Sequence, residues 1–171
     1  MGLKGGNKLS QVLAQIGQSV SKGERVKVGF LSGATYPDTP RGALRATYTQ
    51  RKSQGQTRAI AGSSGGKPVA MIAAFQEFGT GTIPPRPFFR NMIRNKSHEW
   101  GPALGTDLVA THYNVGLSLD RLGAGIAGQL KQSIVDTNTP PLAASTIAQK
   151  GFSKPLISTA HMIMSVDHKV I

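Results

Sequence analysis

The segment from residue 74 to residue 94 constrains the fold of this chain most strongly, because glycine and proline fix its backbone. It reads AFQEFGTGTIPPRPFFRNMIR and overlaps an apolar element that the sequence predicts from Val69 to Phe78. Gly79 and Gly81 are predicted to end that element, since glycine tolerates the positive φ that stops a helix or reverses a strand. The chain should therefore change direction immediately after the apolar element.

Three prolines follow at positions 84, 85 and 87, and they predict an extended segment. Each proline fixes its own φ and excludes the preceding residue from the α region. Arg86 lies between these prolines, so its side chain is predicted to be held out from a stiff backbone. Helical spacing begins after Pro87, which suits a first helical turn, and it is carried by Phe88, Phe89, Met92 and Ile93.

The motif EFGTGTIPPRPFFRNMI strongly resembles that of the tail-completion proteins of tailed bacteriophages, also called neck or virion morphogenesis proteins. Those proteins carry an E-F-G-T/A segment, a short Gly/Pro spacer and then P-x-R-P-F. Two further stretches resemble the same family in the same order, VGFLSGATYPD and GQLKQSIVDTNTPPLAASTIAQKGFSKPLISTAHMIMSV. Ser158 and Ala160 stand where the family usually has Asp and Gly, and this departure weakens the expectation of a helix cap and a tight turn there.

The resemblance implies a structural virion protein with no enzymatic activity, no cofactor and no metal. It would complete the tail or join the tail to the head as a ring around the DNA path, and tail symmetry suggests six subunits. Its implied partners are copies of itself, the neighbouring neck, connector and tail-terminator or tail-tube proteins, and the passing genomic DNA, but no membrane. Its implied location is the neck or tail of the virion, after assembly in the host cytoplasm.

Two other functions remain open. Within the same particle, the chain could be the tail terminator that caps the tail tube. From a different class, it could be a small basic DNA-binding protein that acts off the particle. The chain carries 20 Lys and Arg against 8 Asp and Glu, a net charge of +12, and such a chain meets polyanions at an enhanced rate. Charge alone does not distinguish nucleic acid from an acidic protein surface.

The basic charge is concentrated between residues 39 and 67. No acid occurs between Asp38 and Glu77. The resemblance implies that this segment is a long basic insertion, since related chains often pass almost directly from the first strand to the E-F-G element. A solvated loop and a surface that contacts the DNA lumen or an acidic partner are equally compatible with the composition. The candidate contact residues are Arg41, Arg45, Arg51, Lys52, Arg58 and Lys67.

Catalytic constellations are not recognisable in the sequence. The four histidines form no H-x3-H or H-E-x-x-H pattern, and Glu77 is the only acid of the motif. Glu77 is predicted to pair with an arginine, which would be Arg86, Arg90 or Arg94. The motif also supplies the candidate contacts to a neighbouring subunit or partner. For two of them a role within the chain is an equally good interpretation, since Phe88 could fill the core and Arg86 could form an intrachain ion pair. These candidates are Glu77, Phe78, Arg86, Phe88, Phe89 and Arg90.

An α+β fold is predicted for a single domain covering residues 1–171, with the basic excursion at about 39–67. Its small, mainly antiparallel sheet should pair residues 25–31, which alternate in polarity, with a terminal strand in residues 162–171. The chain contains no cysteine, which excludes a disulfide scaffold. No apolar run reaches the roughly 20 residues that span a bilayer.

Helices are predicted at residues 7–21, 88–112 and 117–135 and should cover the sheet. The first carries an apolar stripe that includes Leu9 and Leu13 and should pack on the core. The second should be kinked or divided at Gly101-Pro102, with Ser97 available as a cap. In the third, Ser118 is a candidate cap, and Gly123, Gly125 and Gly128 should permit close approach of a neighbouring helix.

Overall fold

The computed structural model describes residues 6–30, 33–36, 66–144, 147–148, 153–156 and 160–171. Within these ranges the chain forms five helices and one two-stranded antiparallel sheet, which confirms the predicted α+β class. The elements in chain order are α1 (Gly6–Lys22), β1 (Val26–Phe30), α2 (Val69–Phe78), α3 (Phe88–Ala110), α4 (Val115–Asp136), α5 (His161–Met164) and β2 (Val166–Val170). Of the predicted basic contact residues only Lys67 is described, and the other five lie outside these ranges.

The sheet joins the first strand to the end of the chain, as the sequence predicted. Val26 lies opposite Val170, and Phe30 lies opposite Val166. The predicted terminal strand was too long at its start, because residues His161–Met164 form a helical turn. Ala160 enters this turn in the left-handed conformation, with φ of 56°, and Met162 is buried in the core.

Helix α4 packs against both strands and against α3, so it is the central element of the described fold. Gly123 is where the helix meets the sheet. A Cβ at this position would lie 2.6 Å from Val26 Cγ2 and 2.7 Å from His168 Cδ2, closer than atoms can approach. The prediction of close packing at Gly123 is therefore right, but the neighbour is the sheet and not a helix. At Gly125 and Gly128 a Cβ would meet no described atom within 4 Å, so the prediction is wrong there.

The core consists of apolar side chains from α2, α3, α4 and the C-terminal elements, with β1 packed against it from one side. Its largest fully buried apolar members include Phe88, Leu130 and Ile134. Among the described residues, the buried apolar set is Val69, Ala73, Phe88, Met92, Ile126, Ala127, Leu130, Ile134, Leu156, Met162 and Val166.

Helix α3 continues through Gly101-Pro102, so the predicted division of this run is wrong. A proline within a helix removes one backbone hydrogen bond. Here Pro102 and the residue four positions before it, His98, are both exposed. Water can therefore bind the carbonyl that loses its partner, and the flanking turns hold the helix together. Trp100 is partly buried against the core, and its indole N–H donates to Gln129 Oε1 at 2.8 Å.

The cap of α4 is Asn114 and not the predicted Ser118. The Asn114 side chain accepts a hydrogen bond from the backbone N–H of Leu117 at 3.0 Å. Ser118 lies inside the first turn, is fully buried, and donates from its hydroxyl to the Asn114 carbonyl at 2.8 Å. Asparagine is one of the best cap residues, and the helix starts two residues before the predicted position.

Helix α1 forms as predicted, but its apolar stripe is only partly covered. Val12 and Ile16 are half-buried, whereas Leu9 is 62% exposed and Leu13 is 59% exposed. The prediction that the whole stripe packs on the core is thus wrong for the two leucines. Among the described residues, no helix has the length and apolarity needed to cross a membrane.

Tyr36 and Gly66, which flank residues 37–65, lie side by side next to the start of α2. The Tyr36 N–H donates to the Lys67 carbonyl at 3.0 Å, and the Gly66 N–H donates to the Tyr36 carbonyl at 2.9 Å. His161 contacts the same residues. Its Nε2 lies 2.8 Å from the Thr35 carbonyl, and its ring centroid lies 4.9 Å from that of Tyr36. The described residues on the two sides of positions 37–65 are therefore hydrogen-bonded to each other.

Candidate functional site

Glu77 is the centre of the motif region, because its side chain reaches from the end of α2 to the start of α3. The carboxylate is buried, at 5% residue exposure. Its Oε2 accepts from the Phe89 N–H at 2.8 Å, and its Oε1 accepts from the Arg90 N–H at 3.2 Å. The first backbone N–H groups of a helix have no partner within the helix. Glu77 supplies those partners from another element.

Pro87 completes this helix start. Its φ of −76° and ψ of 62° are those of an inverse γ-turn, and the Phe88 N–H donates across it to the Arg86 carbonyl at 2.8 Å. The Asn91 N–H then donates to the Pro87 carbonyl at 3.0 Å. All four initial N–H groups of α3 are therefore satisfied, two of them by Glu77.

Arg90 is the arginine that pairs with Glu77, which confirms one of the three predicted partners. Arg90 Nε lies 2.8 Å from Glu77 Oε1, and Arg90 Nη2 donates to the Glu77 carbonyl at 3.1 Å. The guanidinium carbon also lies 5.0 Å from the centroid of the Phe78 ring. The Arg90 side chain remains 57% exposed. The buried carboxylate thus faces both a cation and the positive end of a helix, and both stabilise its charge.

Arg86 points inward, so the prediction that its side chain is held out from the backbone is wrong. The residue is only 4% exposed. Its Nε donates to the Pro140 carbonyl at 3.0 Å, its Nη2 to the Pro141 carbonyl at 3.4 Å, and its Nη1 to Gln76 Oε1 at 3.2 Å. Desolvation by burial lowers the pKa of Arg86 from its usual value. The guanidinium therefore ties the proline arm to α2 and to the segment after α4.

Gly79 is required by the geometry of the turn. It has a φ of 77°, and a Cβ there would lie 2.8 Å from the Ile83 carbonyl oxygen and 2.9 Å from the Pro85 nitrogen. The predicted end of the apolar element at Gly79 is confirmed, and that element is helix α2. Thr80 closes the turn, since its N–H donates to the Ile83 carbonyl at 2.8 Å and its Oγ1 accepts from the Ile83 N–H at 3.1 Å.

The six candidate contact residues divide into a buried and an exposed group. Phe88 is 1% exposed and packs edge to face on Phe30, with 6.4 Å between ring centroids. Phe88 therefore fills the core, as one of its two interpretations predicted. Arg86 is buried, but among the described residues it forms no ion pair, so that interpretation of Arg86 is wrong. Glu77 is buried as well. Phe89 is half-buried. Phe78, at 67% exposure, and Arg90 are the members that reach the surface.

A shallow pocket of about 210 Å³ lies beside Phe78, and sequence reasoning missed it. Apart from Glu77 and Arg90, its lining is apolar. The outward face of α2 continues this surface with Ala70 and Ala74 exposed and Phe75 39% exposed. The sequence signal was available, since VAMIAAF from residue 69 to residue 75 contains no polar residue. A helix that is apolar on all sides is normally covered on all sides.

Histidine and carboxylate side chains do not form a candidate metal centre in the described part of the chain, where no group of three or more such ligands occurs. His168 Nε2 lies 3.0 Å from Asp120 Oδ1, and its Nδ1 lies 3.7 Å from Asp167 Oδ1. This arrangement ties α4 to β2. Lys67, the described member of the basic set, is exposed, and its carbonyl accepts from Tyr36.

Comparison of the chain with protein-family models, with curated proteins and with solved structures finds no match in any of the three.

Proposed function

We propose that this chain is a structural subunit of the neck of a tailed bacteriophage, where it completes the tail or joins tail to head. In this proposal it forms a ring around the DNA path, holds no cofactor and catalyses no reaction. Support comes from the EFGTGTIPPRPFFR motif and the two further stretches that resemble the tail-completion proteins, in the same order along the chain.

The observation that carries the proposal is the exposed apolar surface on α2 beside the motif. Phe78 is 67% exposed at the edge of the 210 Å³ pocket, and Phe75 is 39% exposed on the same helix. Contiguous exposed apolar surface is typical of interaction sites. A ring closes by repeating one heterologous contact, in which a patch of one subunit fits a different patch of the next. The α2 surface is suited to be one half of that contact.

The hydrogen bonds beneath this surface support the same role. Glu77 fixes α3 against α2, and Arg86 fixes the proline arm, so Phe78 lies at the edge of a rigid platform. A pre-organised surface loses less conformational entropy on association. Arg90 packs on the Phe78 ring, and aromatic and arginine side chains frequently dominate the binding energy of protein interfaces.

Electron microscopy of lysates from a phage that lacks the gene tests the proposal. Filled heads beside separate tails of normal length are the expected result. Tails of uncontrolled length would instead assign the chain as the tail terminator. Intact, normally joined particles would overturn the neck assignment.

Charge supports one function of a different class, a DNA-binding protein that acts off the particle. The net charge of +12 and the absence of any acid between Asp38 and Glu77 favour a polyanion partner. Charge reversal of Arg41, Arg45, Arg51 and Arg58 tests whether the basic segment acts in joining, whereas binding of the wild-type chain to duplex DNA with a steep salt dependence would favour the off-particle function. A neck subunit so altered should fail to join heads to tails, whereas normal infectious particles from this variant would contradict a role of the basic segment in joining.

A further inference from the structure

The outward face of the β1–β2 sheet carries lysines in direct opposition. The inward face contains Val26, Val28 and His168 and packs on α4. Side chains alternate along each strand, so the next positions, Lys27 and Lys169, point to the other face. These two residues lie opposite each other in the antiparallel register, and both are exposed.

Arg25 extends the same cationic face. Its N–H donates to the Ile171 carbonyl at 3.0 Å, and the Ile171 N–H donates back at 2.9 Å, so the ladder continues beyond the strand. Arg25 precedes Lys27 by two positions and therefore shares its face. Its side chain is exposed and donates to the Gly23 carbonyl at 3.4 Å. Three cations thus lie on one face of a small sheet, at two neighbouring cross-strand pairs, Lys27 with Lys169 and Arg25 with Ile171.

No carboxylate of the described ranges lies within ion-pair distance of Arg25, Lys27 or Lys169. Asp167 is the acid on the same face, but its Oδ1 accepts from the His168 N–H at 2.8 Å and lies 3.7 Å from His168 Nδ1. Like charges directly opposite each other destabilise an antiparallel pair. Among the described residues, no ion pair relieves this repulsion between Lys27 and Lys169.

We propose that this face, formed by Arg25, Lys27 and Lys169, binds the phosphate backbone of DNA. A bound polyanion would place phosphates near both lysines, and their attraction to the phosphates would offset the repulsion between them. The proposal depends on the proposed function only for the identity of the DNA, which would be the phage genome passing through the ring. It is separate from the basic segment at 39–67, because all three residues belong to the folded sheet and its flank.

The composition of the face favours nucleic acid over an acidic protein. Lysine is depleted at protein–protein interfaces, where aromatic side chains are enriched. No outward position of the described sheet is itself aromatic, and the one nearby ring is that of Phe89 in α3, which lies 3.8 Å from where a Cβ of Gly29 would be. Lysine and arginine contact phosphate oxygens throughout protein–DNA interfaces and bind without regard to sequence. Two-stranded ribbons are also an established shape for lying against DNA. We therefore expect binding that does not depend on base sequence.

Salt dependence is the measurement that detects these contacts. Each phosphate neutralised contributes about −0.9 to the slope of log K against log salt. Substitution of Arg25, Lys27 and Lys169 by glutamine in the full-length chain should make that slope shallower by roughly 2 to 3. Binding would be followed by fluorescence anisotropy with a short labelled DNA duplex of mixed sequence.

A matched control removes three charges elsewhere. Lys8, Arg94 and Lys154 are exposed and lie outside the sheet, so their replacement by glutamine changes the net charge equally. The proposal expects a distinctly smaller change of slope for this control. Equal slopes for the two triple variants, or an unchanged slope for the sheet variant, would overturn it. Equally tight binding to polyglutamate at the same ionic strength would overturn the choice of DNA.

A single charge reversal separates binding from folding. Lys27→Glu would place a carboxylate opposite Lys169, and opposite charges across an antiparallel pair stabilise it. The variant should therefore unfold at a higher temperature and yet bind the duplex more weakly than the wild-type chain. Unchanged or tighter binding would contradict the proposal.

Failure of this inference can be distinguished from failure of the proposed function. If the sheet variant binds DNA like the wild-type chain while deletion of the gene leaves heads and tails unjoined, the sheet proposal is wrong and the neck assignment stands. If the sheet variant loses the binding but deletion leaves particles intact, the DNA-binding face stands and the neck assignment is wrong.

Discussion

The Glu77 carboxylate accepts a hydrogen bond from the backbone N–H of Phe89 at 2.8 Å, across eleven intervening residues that contain both glycines and all three prolines of the motif. This bond explains why an acid, a glycine turn, a proline arm and a helix occur together. The turn at Gly79 brings the chain back toward α2, and Glu77 then caps the new helix. The motif therefore has a structural role, which is to start α3 against the end of α2.

Glu77→Ala should destabilise the fold. It removes the partners of two backbone N–H groups and of Arg90, and a lost helix cap alone costs about 0.5–2 kcal/mol. With the ion pair between the buried Glu77 and the partly exposed Arg90 broken as well, we expect a total loss of about 2–4 kcal/mol, measured by urea denaturation. Glu99→Gln is the control, because Glu99 pairs with Lys96 at an exposed site. A loss for Glu77→Ala no larger than that of the control would contradict the capping role.

Gly123→Ala and Gly125→Ala form a matched pair on one helix. A Cβ at Gly123 would lie 2.6 Å from Val26 Cγ2, whereas a Cβ at Gly125 would meet no described atom within 4 Å. Overpacking of this kind typically costs about 1–3 kcal/mol. Alanine at an unobstructed helical site instead stabilises by about 0.5–1 kcal/mol.

The two free energies of unfolding should therefore change in opposite directions. Thermal or urea denaturation of both variants measures this directly. Equal changes would show that Gly123 does not set the distance between α4 and the sheet.

Tyr36 should make the fold sensitive to alkaline pH. Burial raises the pKa of Tyr36 from the usual 10.0, because a charged phenolate is poorly solvated beside His161 and the start of α2. The folded state thus holds the phenol proton more tightly than the unfolded state. The resulting stabilisation is complete below pH 10.0 and is lost as the pH rises through the folded-state pKa.

Tyr36→Phe should remove the part of the stability loss above pH 10.0 that is caused by ionisation of the Tyr36 phenol. Unfolding free energies measured at neutral and alkaline pH provide the comparison. Tyr113→Phe is the control, since this ring is exposed. If the alkaline loss persists in the Tyr36 variant and disappears in the control, burial of Tyr36 is not its cause.

Local chemistry explains which parts of the fold were predictable from the sequence. The strand at Val26–Phe30 and its pairing with the C-terminus follow from alternation, and the end of α2 follows from the φ that Gly79 requires. The direction of Arg86 does not follow, because two of its three acceptors are the carbonyls of Pro140 and Pro141, more than fifty residues away in the sequence. The prolines fix the backbone position of Arg86, but they do not determine which groups its side chain contacts.

The same limit applies to the candidate site. The pairing of Glu77 with an arginine was predictable from composition, but the choice of Arg90 depends on the γ-turn at Pro87 that starts α3. Gly123 packs against the sheet, whereas Gly125 and Gly128 have no described neighbour within 4 Å of a Cβ. The sequence pattern does not distinguish these three glycines. Only the packing of α4 on the sheet distinguishes them.

Phe78→Ser tests whether the exposed α2 surface is a subunit contact. Phe78 is 67% exposed, so the substitution should change the free energy of unfolding by only about 0.5 kcal/mol or less. Loss of an aromatic anchor from an interface typically costs about 2 kcal/mol or more, which is roughly thirtyfold for each contact. A ring that repeats the contact at every subunit should therefore fail to close.

Complementation of a phage that lacks the gene measures this effect. Expression of the Phe78→Ser chain should leave filled heads and separate tails, visible by electron microscopy, although the purified variant remains folded. Val109→Ser is the matched control, because Val109 is 63% exposed on the last turn of α3, and this variant should restore joined particles. Normal particles with Phe78→Ser would show that the α2 surface does not hold the ring together, whatever the phenotype of the deletion.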